Sequence, residues 1–186
     1  ITSLNEIILE STTFASIEKK HITELNIESY IAEVLKKSNQ EDIIEKYDLH
    51  DFPIQVLSQE MTLSEKLMCL FRLSEAEKAF EKKDRHFYDI SQLLQQEVVK
   101  NYLKEEFFLE DLNKVYSEEK SRNQYIPKGC FGNTKLFKDL DNILKSVKSK
   151  NFFEDLLFNN VRFDFTEIEE AFEKLKQILS SKKVNE

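Results

Sequence analysis

The sequence predicts an α+β fold that is predominantly helical, with a few strands followed by a helical bundle. Three observations predict it. Only 2 Gly and 2 Pro occur in 186 residues, against average usage of roughly 7% and 5%, and so little turn punctuation disfavours a many-stranded sandwich or barrel. Apolar residues recur at the 3.6-residue helical period along most of the chain, while two short runs, Leu4–Glu10 and Phe52–Leu57, fit strands by length and branching. At 40% hydrophobic content the chain can bury a real core.

Charge and length narrow the function classes. A net charge of −8 and a pI near 5.1 argue against a wholly basic nucleic-acid module and against adhesion to an anionic membrane. The longest apolar runs, such as Ile7–Leu9 and Leu156–Phe158, are far short of the ~20 residues that span a bilayer, and the first residues do not form a signal peptide. A soluble, cytoplasmic protein without a membrane partner is expected. The chain begins at Ile1 rather than Met, which suggests that an N-terminal portion has been removed. Cys69 and Cys130 belong to no Cys-x-x-Cys pair, and Cys69, inside an apolar helical pattern, reads as a buried free thiol. His21, His50 and His86 show no metal-ligand spacing.

In chain order, Ile7, Ile8 and Leu9 read as a buried strand with Glu10 at its end. A polar loop follows, and then Ile27, Tyr30, Ile31, Val34 and Leu35 predict an amphipathic helix that stops near Ser38–Asn39. Ile43, Ile44 and Tyr47 mark a short helix. Phe52–Leu57 alternates, and Pro53 near its start suits an edge strand. Thr62 and Glu65 have capping-box spacing, so a helix is expected to open there with Leu63, Leu67, Leu70 and Phe71 inward. The charged stretch 75–83 reads as a solvated connection to a second helix carrying Phe87, Ile90, Leu93, Leu94 and Val98 inward. A helix over roughly 105–120 turns Leu109, Leu112, Val115 and Tyr116 inward. Gln124–Asn133 holds both glycines and Pro127 and is the clearest loop. Beyond it, Leu136 to Val147 predict one helix and Phe152–Phe158 another. Thr166 and Glu169 form a second capping box, opening a last helix with Ile168, Ala171, Phe172, Leu175, Ile178 and Leu179 inward.

Two polar residues stand where packing does not require them. Lys66 falls in the early turns of its expected helix, where the positive end of the macrodipole disfavours a cation. Asp89 lies mid-helix among Phe87, Tyr88 and Ile90, four residues after Arg85. Lys66 could neutralise charge on a transferring phosphoryl group, or be a surface lysine paired with Glu65 or another carboxylate. Arg85 and Asp89 could pair at i, i+4, or Asp89 could orient Lys66 while Arg85 contacts phosphate. Asp139 and Asp141 look like a paired-carboxylate metal site, but at i, i+2 on one helix they point about 200° apart. Lys135, Lys138, Lys145 and Lys148 fall on one side of that helix, which fits a solvated face or contact with an RNA backbone.

Thr62–Leu67 (Thr-Leu-Ser-Glu-Lys-Leu), then Arg85–Ile90 (Arg-His-Phe-Tyr-Asp-Ile) and Leu93-Leu94, resemble the latter part of the AbiEii-type nucleotidyltransferase toxins. Ile7–Phe14 (Ile-Ile-Leu-Glu-Ser-Thr-Thr-Phe) and Phe52–Leu57 are similar to strands of that family. The resemblance covers residues 4–95, with the remainder agreeing in helical character. It implies a nucleotidyltransferase-like sheet and a toxin of a type IV toxin–antitoxin or abortive phage-infection system. It also implies transfer from a nucleoside triphosphate to RNA with Mg2+, tRNA acceptor ends serving some relatives, and a cognate antitoxin as a further partner. On this resemblance Lys66 and Asp89 are catalytic, Arg85 binds substrate, and Glu10 is a candidate metal ligand.

The family's Gly-Ser element and the Asp-x-Asp strand after it are not found here, since no glycine precedes Gly129. The chain therefore resembles a C-terminal portion, expected to hold no Mg2+ tightly and to be inactive alone. Residues 1–61 read as a residual strand and helix part of the nucleotidyltransferase core. Residues 62–123 read as central helices with the Lys/Asp motif, and 124–186 as a C-terminal helical region. The alternative is a non-catalytic helical protein-interaction module, which leaves Lys66, Arg85 and Asp89 free to point apart.

Overall fold

The computed structural model describes residues 18–78, 80, 83–122, 126–149, 164–180 and 182. The strand expected over Leu4–Glu10 and the helix expected over Phe152–Phe158 lie outside the described residues. The chain divides into two compact units, Ile1–Val56 and Leu57–Glu186.

In the first unit a two-stranded sheet pairs β1 (Ile22–Ile27) with β2 (Phe52–Leu57). Two helices connect them, α1 (Tyr30–Lys37) and α2 (Glu41–Tyr47). Ser29 caps α1, its Oγ accepting from the Ala32 amide at 3.0 Å. β2 falls on the expected residues, whereas β1 lies in what reads from sequence as a polar loop. Every residue of β1 is exposed, so it carries no buried face to impose an alternating pattern. The stripe Tyr30, Ile31 and Val34 on α1 is also exposed, and among the described residues of this unit the buried apolar side chains are Ala32 and Ile44.

The second unit is helical. Its elements are α3 (Gln59–Glu75), α4 (Arg85–Leu93), α5 (Glu97–Tyr102), α6 (Glu106–Arg122), α7 (Lys135–Lys138), α8 (Leu140–Ser149) and α9 (Thr166–Leu179). α3 is central, packing against α4, α5, α6 and α7, while α9 packs against α4. Leu63, Leu67, Leu70 and Phe71 on α3 are fully buried, as the apolar spacing predicts. Phe71 lies 5.8 Å from Phe131 and 5.7 Å from Phe137 between ring centroids, and Phe87 meets Phe172 at 5.0 Å. Helices on both sides of Gly129 thus share one core.

Several element ends differ from expectation, each for a local reason. α3 opens at Gln59, not Thr62: Ser58 is the cap, its Oγ accepting from the Met61 amide at 3.3 Å. The Thr62 amide already bonds Ser58 O at 2.9 Å, so no orphan donor remains for a Thr62–Glu65 box. Ser58→Ala is expected to lower stability by about 1 kcal/mol, read as a fall in the urea midpoint at unchanged slope; an unchanged midpoint would remove Ser58 as the cap.

The chain turns at Leu94–Gln96 before α5, which resets the helical phase. Val99 is therefore buried, and Val98, expected inward, is 49% exposed. The single helix expected over Leu136–Val147 is two, because Asp139 leaves the helical region at φ −114°, ψ 24°; its Oδ1 accepts from the Asn142 side-chain Nδ2 at 2.6 Å. Thr166 is inside α9 rather than capping it; Asp164 Oδ1 takes the Thr166 amide at 3.0 Å.

Two contacts tie the helices further. The Tyr102 hydroxyl donates to Asp111 Oδ2 at 2.9 Å and lies 3.3 Å from Ser64 Oγ, joining α5, α6 and α3. Burial, with the Asp111 carboxylate beside it, pushes the phenol well above its usual range. Gly132 passes over the end of α9, where an added Cβ would stand 2.5 Å from Ser180 Cα. The Phe131 amide there donates to Lys182 O at 3.0 Å. Cys69 and Cys130 are part-buried and form no disulfide.

Candidate functional site

α3 and α4 lie side by side because each buries an apolar stripe: Leu63, Leu67 and Leu70 on one, Phe87 and Ile90 on the other. Lys66 follows that stripe at the flank of α3, and His86 and Asp89, three residues apart, share a flank of α4. Lys66 Nζ donates to Asp89 Oδ2 at 2.6 Å. His86 Nδ1 is 3.4 Å from Lys66 Nζ and 3.7 Å from the same Asp89 oxygen. The side chains are 23% (Lys66), 32% (Asp89) and 11% (His86) exposed, so the cluster is partly sheltered.

Burial works to raise the Asp89 carboxyl, but the His86 and Lys66 side chains beside it outweigh it and hold Asp89 below the usual carboxylate range. The carboxylate is therefore ionised at neutral pH. Glu65 differs: burial first, then Glu118 and Glu119, push its carboxyl up, with Lys66 only partly opposing them. Lys66 takes Asp89 rather than Glu65 as its hydrogen-bonded partner.

Of the residues singled out by sequence, the structure brings Lys66 and Asp89 together and leaves Arg85 apart. Arg85 is exposed and makes no hydrogen bond or ion pair with the described residues, so the i, i+4 pair with Asp89 does not form. Glu10 lies outside the described residues. Lys66 itself stands about two turns inside α3, beyond the first turn over which the macrodipole acts. His86 was not singled out from sequence. Its i, i+3 spacing to Asp89 was the available signal, and a single histidine carries that signal weakly without knowledge of the facing helix. The lysines of α7 and α8 do not share one helix; Lys135 pairs with Glu77 at 2.7 Å and Lys148 with Glu169 at 3.8 Å.

A family model described as the nucleotidyl transferase AbiEii toxin of type IV toxin–antitoxin systems matches residues 5–178. The chain belongs to the AbiEii family. The match runs through α9, well past residue 95, so the C-terminal helices are family structure too. Comparisons with curated proteins and with solved structures gave no match. AbiEii membership brings a nucleotide substrate and an antitoxin partner, and nucleotidyltransferases generally use Mg2+.

Mg2+ is usually bound through one or two carboxylates, with waters and substrate phosphates completing its octahedron; among the described residues no cluster of three or more His, Cys, Asp and Glu could hold a metal. Asp89, the carboxylate of the site, already has an ammonium at 2.6 Å. Asp139 ends α7 and Asp141 lies in the first turn of α8, so their separation follows from a helix break rather than from one helix. Among the described residues no helix is long and apolar enough to cross a membrane.

Proposed function

We propose that the Lys66–Asp89 pair is one wall of the nucleotide site of an AbiEii-family toxin that transfers nucleotides from a nucleoside triphosphate to RNA, the acceptor end of tRNA being one candidate substrate. Lys66 is the phosphate contact, Asp89 holds its ammonium in place, and exposed Arg85 contacts the substrate. The observation that carries this reading is the 2.6 Å Lys66–Asp89 contact between two helices whose packing is already supplied by apolar residues. A half-sheltered ammonium on a rigid helix stabilises charge on a phosphoryl oxygen far better than one free in water.

Magnesium in this reading is held by a set of carboxylates that the described residues do not supply, with Glu10 offering at most one, and the chain alone is expected to be inactive. Incubating it with α-32P nucleoside triphosphates, Mg2+ and total bacterial RNA is expected to leave the RNA unlabelled. Magnesium-dependent labelling that disappears in Lys66→Ala would overturn the inactivity and retain the site; labelling untouched by that change would overturn the site itself.

A further inference from the structure

A third side chain at the site has a function that its residue type and position define. His86 Nδ1, Lys66 Nζ and Asp89 Oδ2 form a triangle with sides of 3.4, 2.6 and 3.7 Å. Of the two neighbours of Nδ1, only the lysine nitrogen lies within hydrogen-bonding distance. A lysine ammonium has three hydrogens to donate and no acceptor. If the two bond, the imidazole accepts at Nδ1 and its own proton sits on Nε2; with a proton on Nδ1 the ring would instead face Asp89 Oδ2, 3.7 Å away.

We infer that His86 is a positioning residue: as the neutral Nε2–H imidazole it accepts one Lys66 hydrogen while Asp89 accepts a second, leaving the third hydrogen for a phosphate oxygen. Asp89 alone leaves an ammonium free to rotate about its Cε–Nζ bond and to swing around a single acceptor. Two acceptors from one face of α4 remove that freedom. His86 can act this way because its side chain is only 11% exposed and Phe87, fully buried next to it, fixes the turn of helix that carries it. The proton position stands on geometry alone; the use made of the third hydrogen rests on the nucleotide site proposed above.

The test uses the full chain and two variants. In 15N-histidine-labelled protein at pH ~8, where imidazole is ordinarily neutral, the His86 signals are expected to show a bare Nδ1 and a protonated Nε2. A proton on Nδ1 overturns the assignment. His86→Asn keeps an acceptor close to the Nδ1 position, whereas His86→Leu keeps bulk without one. Hydrogen exchange of the Lys66 ammonium is expected to stay within about twofold of wild type in H86N and to quicken about tenfold in H86L, as for loss of one charge-assisted hydrogen bond.

Equal exchange in H86L and wild type, or equally fast exchange in both variants, overturns the positioning role. Circular dichroism and thermal midpoints verify that both variants fold. Inorganic triphosphate added without metal is expected to shift the Lys66 Nζ resonance. If it does not, the nucleotide reading fails while the His86 proton position remains decided by the first measurement.

Discussion

Lys66→Ala and Asp89→Ala are each expected to abolish growth inhibition wherever expression of a protein with these residues inhibits bacterial growth. Removing one preorganised charge-stabilising group from a transfer site costs about 10²–10³ in rate, and toxicity that depends on turnover falls with it. The two changes act through different routes. Lys66→Ala removes the phosphate contact; Asp89→Ala leaves the ammonium with only His86 at 3.4 Å to hold it. Both should therefore fail alike in transfer while differing in fold stability, since the half-sheltered pair loses an anion in one case and a cation in the other. Immunoblots must show normal protein levels. Growth inhibition retained by either variant at such levels would remove the pair from the active site.

Phe71→Ala is expected to cost about 3–5 kcal/mol, the usual range for truncating a fully buried phenylalanine. That is a large part of the 5–15 kcal/mol by which a domain is ordinarily stable. Phe71 is 0% exposed and its ring meets Phe131 and Phe137, so its loss opens a cavity among α3, α7 and the turn before α7 together. Tyr30→Ala, at a residue 78% exposed, should change stability little. Urea unfolding followed by far-ultraviolet circular dichroism measures both. A loss below about 1 kcal/mol at Phe71 would show that α3 is not the centre of the core.

The interior of α3 was legible in the sequence because Leu63, Leu67, Leu70 and Phe71 repeat at the helical period and the core does bury that face. Its start was not. Ser58 and Thr62 are both acceptable caps, and the choice depends on which amide is left without a partner, a property of the formed helix rather than of residue type. The same degeneracy applies at α9, where Asp164 takes the amide that Thr166 was expected to serve. Breaks at Gln96 and Asp139 carry no Gly or Pro, so nothing in the sequence announced them; the first shifted the face of the following residues, as Val98 and Val99 illustrate, whereas Leu140, Leu144 and Val147 after the second are buried as expected. β1 was invisible for a different reason: an exposed strand shows no burial pattern. At the site, Lys66 and Asp89 were visible as polar residues out of place, but His86 acquires meaning only when α3 is laid against α4.

The two charged groups of the site are 23 positions apart in sequence, yet their contact is set by the packing of two helices and not by the chain between them. Doubling a flexible connection costs only about 0.6 kcal/mol in closure entropy, and Phe80, whose ring meets Phe87 at 5.3 Å, anchors the end nearer α4. Residues inserted just after Lys78 therefore leave the pair in register. The chemistry is carried by α3 and α4, and the register of the pair does not depend on the length of the link at that point.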